Sequence, residues 1–363
     1  MSERGAPDDW SARGTRAGLS GGGDAERAQR GPEDTWSLLD LFRMGEAALA
    51  LVAAEHAGLV GALLDREPAG TDPELAAELG LDPRATRLVL DVLSLFGVAT
   101  RAGDTVRASD ELRELRRSSP GGVHTDLRLL GHVEDFLRTG KPLLAMDGSL
   151  AERGEQYAAV VPGLANAYRP AAAELAALLP SGPAVLDLGA GSGVWGLALA
   201  RRSPAVRLTA VDLPPVLDVL RAAARAAGVE SQVDIRAGSY FDVELPDRGH
   251  DVVLLGNVLH LEQPAGAARL VARAAAALRP GGTLAVIDIL GDAEHPSDRE
   301  RAMYALFLGL RAEHGRMYRQ VDLAGWLAAA GLPEGRRVPL ATAPRLLDVV
   351  LATKPADQPG GAA

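Results

Sequence analysis

The 363-residue sequence contains no cysteine, which excludes disulfides, thiolate nucleophiles and cysteine-held metals. Lysine is almost missing as well: Lys141 and Lys354 are the only two among 38 basic residues. Against 48 acidic residues this leaves a net charge of −10, the wrong sign for a protein that must displace counterions from phosphates. A nucleic-acid partner is therefore not expected. No charge-free run reaches about 18 apolar residues, and no basic stretch followed by an apolar core opens the chain. Neither a membrane span nor a leader is expected, and the cytoplasm is the expected location. What is present, 47% hydrophobic and 24% charged residues, is the balance of an ordinary globular protein, and the length allows two or three domains.

Residues 1–34 combine seven glycines with scattered acids and arginines and offer too little apolar surface to offset their ordering entropy. They are expected to form a disordered tail, as is the segment 355–363. From Trp36 the apolar positions Leu38, Leu39, Leu41, Phe42, Ala48, Leu49 and Leu51 follow a period near 3.6, which predicts a buried helix. Asp72–Leu79 and Pro83–Phe96 read as two further helices. Short strands around 98–100 and 105–107 follow, turned by Ala102-Gly103-Asp104. Helix, helix, hairpin is the order of a winged unit, but Arg84 and Arg87 are the only basic groups on its second helix, which also carries Asp91. Residues 109–180 read as helical, punctuated at 118–122, at 140–142 and at Gly154. After Pro180-Ser181-Gly182-Pro183, apolar strands alternate with alanine-rich helices, the pattern of a parallel sheet. The strands expected are Ala184–Leu188, Arg207–Val211, Asp234–Ala237, Asp251–Leu255, Thr283–Asp288 and Leu347–Ala352.

The first of these strands runs into Asp187-Leu188-Gly189-Ala190-Gly191-Ser192-Gly193 and then into a helix from Trp195. Glycines there let the backbone turn sharply and approach a ligand closely. After the next strand stands Asp212, where a carboxylate can accept hydrogen bonds from both hydroxyls of a ribose. The pyrophosphate fingerprint Gly-x-Gly-x-x-Gly would need glycine at position 194, which is Val194. A cofactor without phosphates, holding a zwitterionic amino acid on a nucleoside, suits Asp187 and this loop better.

Taken in order, the loop with Asp187, the segment Val211-Asp212-Leu213-Pro214, Ala237-Gly238-Ser239-Tyr240-Phe241, Leu255-Gly256-Asn257-Val258-Leu259-His260 and Leu278-Arg279-Pro280-Gly281-Gly282 resemble a known family. It is that of the S-adenosylmethionine-dependent O-methyltransferases with an N-terminal winged-helix dimerisation domain, and the likeness runs from about 36 to 353. The resemblance implies an α/β fold: a Rossmann-like, seven-stranded methyltransferase domain over 171–354, preceded over 35–170 by a mostly helical, dimerising and substrate-lining domain. It implies S-adenosyl-L-methionine as cofactor, with Asp187 and the loop Gly189, Ala190, Gly191 at its methionine portion, Asp212 at the ribose, and Ser239 and Tyr240 at the adenine. Leu213 and Asn257 are implied as further cofactor-binding residues. Many relatives carry an acid where Ser239 stands, and some carry a lysine where Gly256 stands.

The resemblance also implies His260 as general base, with Asp288 holding its tautomer, and a phenolic hydroxyl of a small secondary metabolite as acceptor. Relatives continue after the histidine with Asp-Trp, where this chain has Leu261-Glu262. They often add a second orienting acid, for which Gly315-Arg316-Met317-Tyr318 offers no carboxylate and Glu313 is the nearest. Substrate-lining positions are expected at Phe136, Met146, Tyr157, Tyr168, Met303, Tyr304, Phe307 and Arg311, and a homodimer is expected through the N-terminal helices. Other readings stay open on the residues alone. They are C- or N-methylation, a non-methylating reaction on the same fold, metal assistance through His260, Glu262 or His295, and a ligand-sensing regulator. No resident metal is expected.

Overall fold

The structure is a computed structural model that describes residues 37–356 apart from 67–69, 119–121, 145, 181, 183, 246–248, 292–298, 334 and 344–345. The expected tails therefore lie outside the described residues, except for 355 and 356, and so does His295. Two compact units divide between Leu49 and Ala50.

The described part of the first unit is the start of helix α1 (Leu38–His56). The predicted helix is there, but its expected burial is not: Phe42 is 63% and Leu49 70% exposed, and Leu38, Leu39, Leu41 and Met44 are exposed with them. A 3.6 period places apolar groups on one side of a helix whether that side meets its own chain or another surface.

The second unit begins with α2 (Leu59–Asp65), β1 (Gly70–Thr71), α3 (Asp72–Leu79), α4 (Pro83–Leu95), β2 (Ala99–Ala102) and β3 (Thr105–Ala108). Helix α3 starts on a capping box of Thr71 and Glu74, with a proline in its first turn. Helix α4 is capped by Asp82, whose carboxylate accepts from Ala85 N at 2.8 Å. The hairpin turns at Gly103 with β2 and β3 antiparallel, and β1 adds a third strand on β3. Leu59, Val60, Leu63, Leu75, Leu90, Leu93 and Val106 form the core of this region. Helices α5 (Asp110–Ser118), α6 (Gly122–Gly131) and α7 (Val133–Thr139) lead to the 29-residue α8 (Leu150–Leu178). Gly154 does not interrupt α8: a Cβ there would lie 3.0 Å from Pro215 Cδ, so the glycine permits close packing rather than a break.

The sheet that follows is built from β4 (Ala184–Leu188), β5 (Arg207–Asp212), β6 (Val233–Ala237), β7 (His250–Gly256), β8 (Leu278–Asp288), β9 (Arg336–Arg337) and β10 (Asp348–Thr353). Helices α9 (Val194–Ala200), α10 (Pro214–Ala226), α11 (Pro264–Ala277), α12 (Arg299–Arg311) and α13 (Gln320–Ala329) lie between them in the chain. The spatial order is β6-β5-β4-β7-β8-β10-β9, with β4 to β8 parallel and β9 and β10 antiparallel. The central strands are buried on both faces, from Val252 to Leu255 and from Leu284 to Ile287, which is why their sequences are continuously apolar. The reversal of strand order at β4 opens a crevice at the strands' carboxyl ends.

Strands β1 and β9 are absent from the expected pattern. Each is two residues long, too short for any alternation to register. β9 is an exposed Arg-Arg pair that tips the sheet edge with charge.

Candidate active site beneath a long helix

Four strand ends supply the floor of one cleft, and α8 supplies its roof. Gly189, Ala190, Gly191, Ser192 and Val194 come from the β4 loop, Asp212 and Leu213 from β5, Gly238, Ser239 and Tyr240 from β6, and Gly256, Asn257, Val258 and Leu261 from β7. Helix α8 faces them with Leu150, Arg153, Tyr157, Val161, Leu164 and Tyr168, one residue per turn, and Trp195 closes the end. The cleft spans about 810 Å³ counted through its open mouth.

The loop is shaped by positive φ at Gly189 (73°), Gly191 (58°) and Gly193 (77°). At Gly189 a Cβ would lie 2.5 Å from Val258 Cγ1, so only glycine fits. The N–H groups of Gly189 and Ala190 both donate to the Val211 carbonyl at 2.9 and 3.1 Å, tying the loop to β5. Asp212 lies across from it, its carboxylate accepting from Gly191 N and Leu213 N, each at 2.7 Å. Burial raises the Asp212 pKa, and those amides oppose the rise.

Asp187 sits under the loop rather than in the cleft lining. One carboxylate oxygen accepts from Gly196 N at 3.1 Å, and the other is sealed with no partner among the described residues. Burial pushes its pKa up to about 7. A glycine cradle resting on a buried carboxylate, with Arg153 the only cationic side chain among the described residues lining the cleft, suits a ligand with an ammonium arm and no phosphates. These residues fit S-adenosylmethionine.

Asn257 is the only non-glycine described residue with positive φ, at 57°, a conformation asparagine tolerates better than most residues. Its N–H donates to the Ile287 carbonyl at 2.7 Å, and its side chain opposes the rise that burial gives the Tyr168 phenol pKa. Tyr168 in turn packs on Trp195 with ring centres 5.6 Å apart. Trp195 also explains Gly256: a Cβ there would lie 2.6 Å from the indole Cδ1, so the indole fills the space a side chain would need. Ser239 lines the cleft, its hydroxyl accepting from Phe241 N at 3.1 Å.

His260 follows the β7 end and is buried. Its Nδ1 lies 2.6 Å from Asp288 Oδ1, and Asp288 Oδ2 accepts from the N–H groups of Leu259 and His260 at 3.1 and 3.3 Å. An ionised Asp288 accepts only, so Nδ1 carries the proton and Nε2 is left as an acceptor with no partner among the described residues. The Tyr304 ring stands edge-on to the imidazole at 6.2 Å.

The other expected substrate positions divide. Tyr157 and Tyr168 line the cleft. Phe136 packs against α12, where a Cβ on Gly309 would meet it at 3.1 Å, and Phe307 lies 5.8 Å beneath the Arg311 guanidinium. Met146 is buried, its N–H donating to the Arg311 carbonyl at 3.1 Å. Met303 is 60% exposed and lies on another face of α12 from Tyr304, because adjacent helical residues point about 100° apart. Glu313 does not reach His260: it is exposed, and its N–H donates to Asp147 at 2.9 Å.

Arg153 went unrecognised in the sequence. Its guanidinium donates to Tyr240 OH at 2.8 Å and to Glu262 at 3.0 Å, and Tyr240 OH bonds the same carboxylate. The usable signal was the spacing of 150, 153, 157, 161, 164 and 168, a single helical stripe in which polar and aromatic groups interrupt an apolar face.

Among the described residues no group of acids and histidines has the arrangement of a metal site, and no single helix is long and apolar enough to cross a membrane. Residues 171–333 match the family of O-methyltransferase domains. The chain is 29% identical over 330 residues to the tetracenomycin polyketide synthesis 8-O-methyl transferase TcmO of Streptomyces glaucescens, covering 85% of this chain and 93% of that one. It is 28% identical over 311 residues to 3-hydroxy-5-methyl-1-naphthoate 3-O-methyltransferase of Streptomyces sahachiroi, covering 80% and 88%. Its fold is shared with human N-acetylserotonin methyltransferase, solved in complex with SAM, at a TM-score of 0.62 and 21% identity over 93% of this chain and 100% of that one. Glycine loop, the acid ending β5, sheet order and sequence likeness converge on one conclusion: residues 171–333 form an O-methyltransferase domain, and the enzyme is an S-adenosylmethionine-dependent methyltransferase.

Proposed function

We propose that the enzyme methylates a phenolic hydroxyl of a small secondary metabolite and that His260 removes the phenol proton. The observation that carries this is the His260–Asp288 contact at 2.6 Å, which leaves Nε2 as an acceptor at the carboxyl end of β7. Bound S-adenosylmethionine supplies a methyl group already activated on a sulfonium. The protein's part is alignment and proton removal. A free phenol is a far weaker acid than a free imidazolium, by roughly 5 kcal/mol on reference values, so proton transfer is best made to accompany methyl attack rather than precede it.

Asp212 and Leu213 would hold the ribose, Ser239 and Tyr240 the adenine, and Asp187, the Gly189–Gly191 loop and Asn257 the amino-acid arm. The acceptor would enter on the side of His260 and Tyr304. Two similar proteins act, by their names, in tetracenomycin polyketide synthesis and on a hydroxynaphthoate, and the second supports an aromatic acceptor. Residues 35–170, with their winged-helix order, act as the dimerising and substrate-lining domain and 171–354 as the cofactor domain of a cytoplasmic homodimer without nucleic-acid or membrane partners. The exposed apolar face of α1 supports the dimer. The test is incubation with methyl-labelled S-adenosylmethionine and a panel of hydroxylated naphthoates and polyketide phenols. Label on oxygen, located by mass spectrometry, is expected, and label on carbon or nitrogen, or none with any acceptor, refutes the proposal.

A further inference from the structure

Tyr157 carries a hydroxyl that nothing described in the chain satisfies. Its residue lines the cleft, and its oxygen is sealed from solvent without a partner among the described residues. A buried hydroxyl left unpaired is costly, and a protein retains one where a ligand completes it.

The passage of α8 over the cleft shows which part of a ligand this oxygen meets. At the near end Arg153 reaches Tyr240 beyond β6. One residue on, the Gly154 Cβ position lies 3.0 Å from Pro215 and 3.5 Å from Leu213, beside Asp212. One turn past Tyr157, Val161 Cγ1 lies 3.4 Å from the Gly191 Cβ position, and at the far end Tyr168 packs on Trp195. Tyr157 thus stands between the segment over Asp212 and Leu213 and the segment over the glycine loop. The charges that act on its hydroxyl agree with this placement, since they include Arg153, Asp147 and Asp212, while burial holds the phenol protonated and a donor.

We infer that the Tyr157 hydroxyl hydrogen-bonds the nucleoside half of the cofactor, at the ribose held from the opposite wall by Asp212, and is not part of the acceptor pocket. This rests on the cofactor orientation proposed above. The resemblance placed Tyr157 with the acceptor, and a resemblance does not say which end of a cleft each helical turn covers.

The test is calorimetric titration of wild type and Tyr157→Phe with S-adenosylhomocysteine and with 5′-deoxy-5′-methylthioadenosine, which keeps the nucleoside and lacks the amino acid. Both dissociation constants are expected to rise by the same factor, about 5- to 30-fold. The melting temperature of the ligand-free variant should hold or rise, because phenylalanine leaves no unpaired oxygen. Loss of S-adenosylhomocysteine affinity with methylthioadenosine unchanged assigns the hydroxyl to the amino-acid arm and overturns the inference. Unchanged affinity for both ligands also overturns it, as does a drop in ligand-free stability, which marks a packing role. Wild type that binds neither ligand would instead refute the cofactor orientation itself.

Discussion

With its Nδ1 proton committed to Asp288, the His260 imidazole is fixed in the tautomer that accepts at Nε2. His260→Ala should therefore lower kcat by about 10²- to 10⁴-fold while leaving S-adenosylhomocysteine affinity within a factor of about two, read by steady-state kinetics beside calorimetry. Asp288→Asn keeps an oxygen acceptor but removes the charge that steadies the imidazolium, so a smaller loss in kcat is expected. A second residue-scale consequence follows from Asp187, whose buried carboxyl is pushed up to about 7. The folded state binds this proton more tightly than the unfolded chain does, so the group favours folding at low pH, and that contribution is lost as pH rises from the ordinary carboxylate range through about 7. Ligand-free Asp187→Asn should consequently melt above wild type at pH about 8, with the gap narrowing toward pH about 5. A gap that widens on acidification would contradict the assignment.

At the scale of elements, α9 and the end of β7 interlock through Trp195 and Gly256. A Cβ at 256 would meet the indole at 2.6 Å, so Gly256→Ala should cost about 1–3 kcal/mol by overpacking, measured by denaturant unfolding. Combining it with Trp195→Val should recover part of that loss, a non-additivity expected only of residues in contact. Any larger side chain at 256 would meet the same indole. Helix α8 imposes a similar coupling, because a single helix carries both Arg153 against Tyr240 and Tyr168 against Trp195.

For the whole molecule, the exposed face of α1 carries the clearest consequence. Phe42 and Leu49 are apolar and largely solvent-exposed in one chain, and a second copy would cover them. Phe42→Glu with Leu49→Glu should convert the proposed dimer to a monomer by light scattering coupled to size exclusion. S-adenosylhomocysteine binding should persist, since the residues lining the cleft begin at Leu150. A wild-type protein that is already monomeric at micromolar concentration would remove the basis for the dimer.

What the sequence determined by itself was local and ordered along the chain. The strands from Ala184 onward, the glycine loop and Asp212 were legible because an apolar run, a forced turn and a carboxylate one unit later are short-range patterns set by backbone sterics and burial. His260 and Asp288 were legible only as a motif match, 28 residues apart in the chain, and the 2.6 Å contact between them exists because β7 and β8 are neighbours in the sheet. Arg153, Glu262 and Tyr240 carried no shared signal at all, since their positions span more than a hundred residues and their pairing depends on where α8 lies. Tyr157 and Met303 were expected at the acceptor from the resemblance, but which surface each helical face meets is fixed by packing. A sequence specifies what each element can bury, and only the assembled fold decides against what.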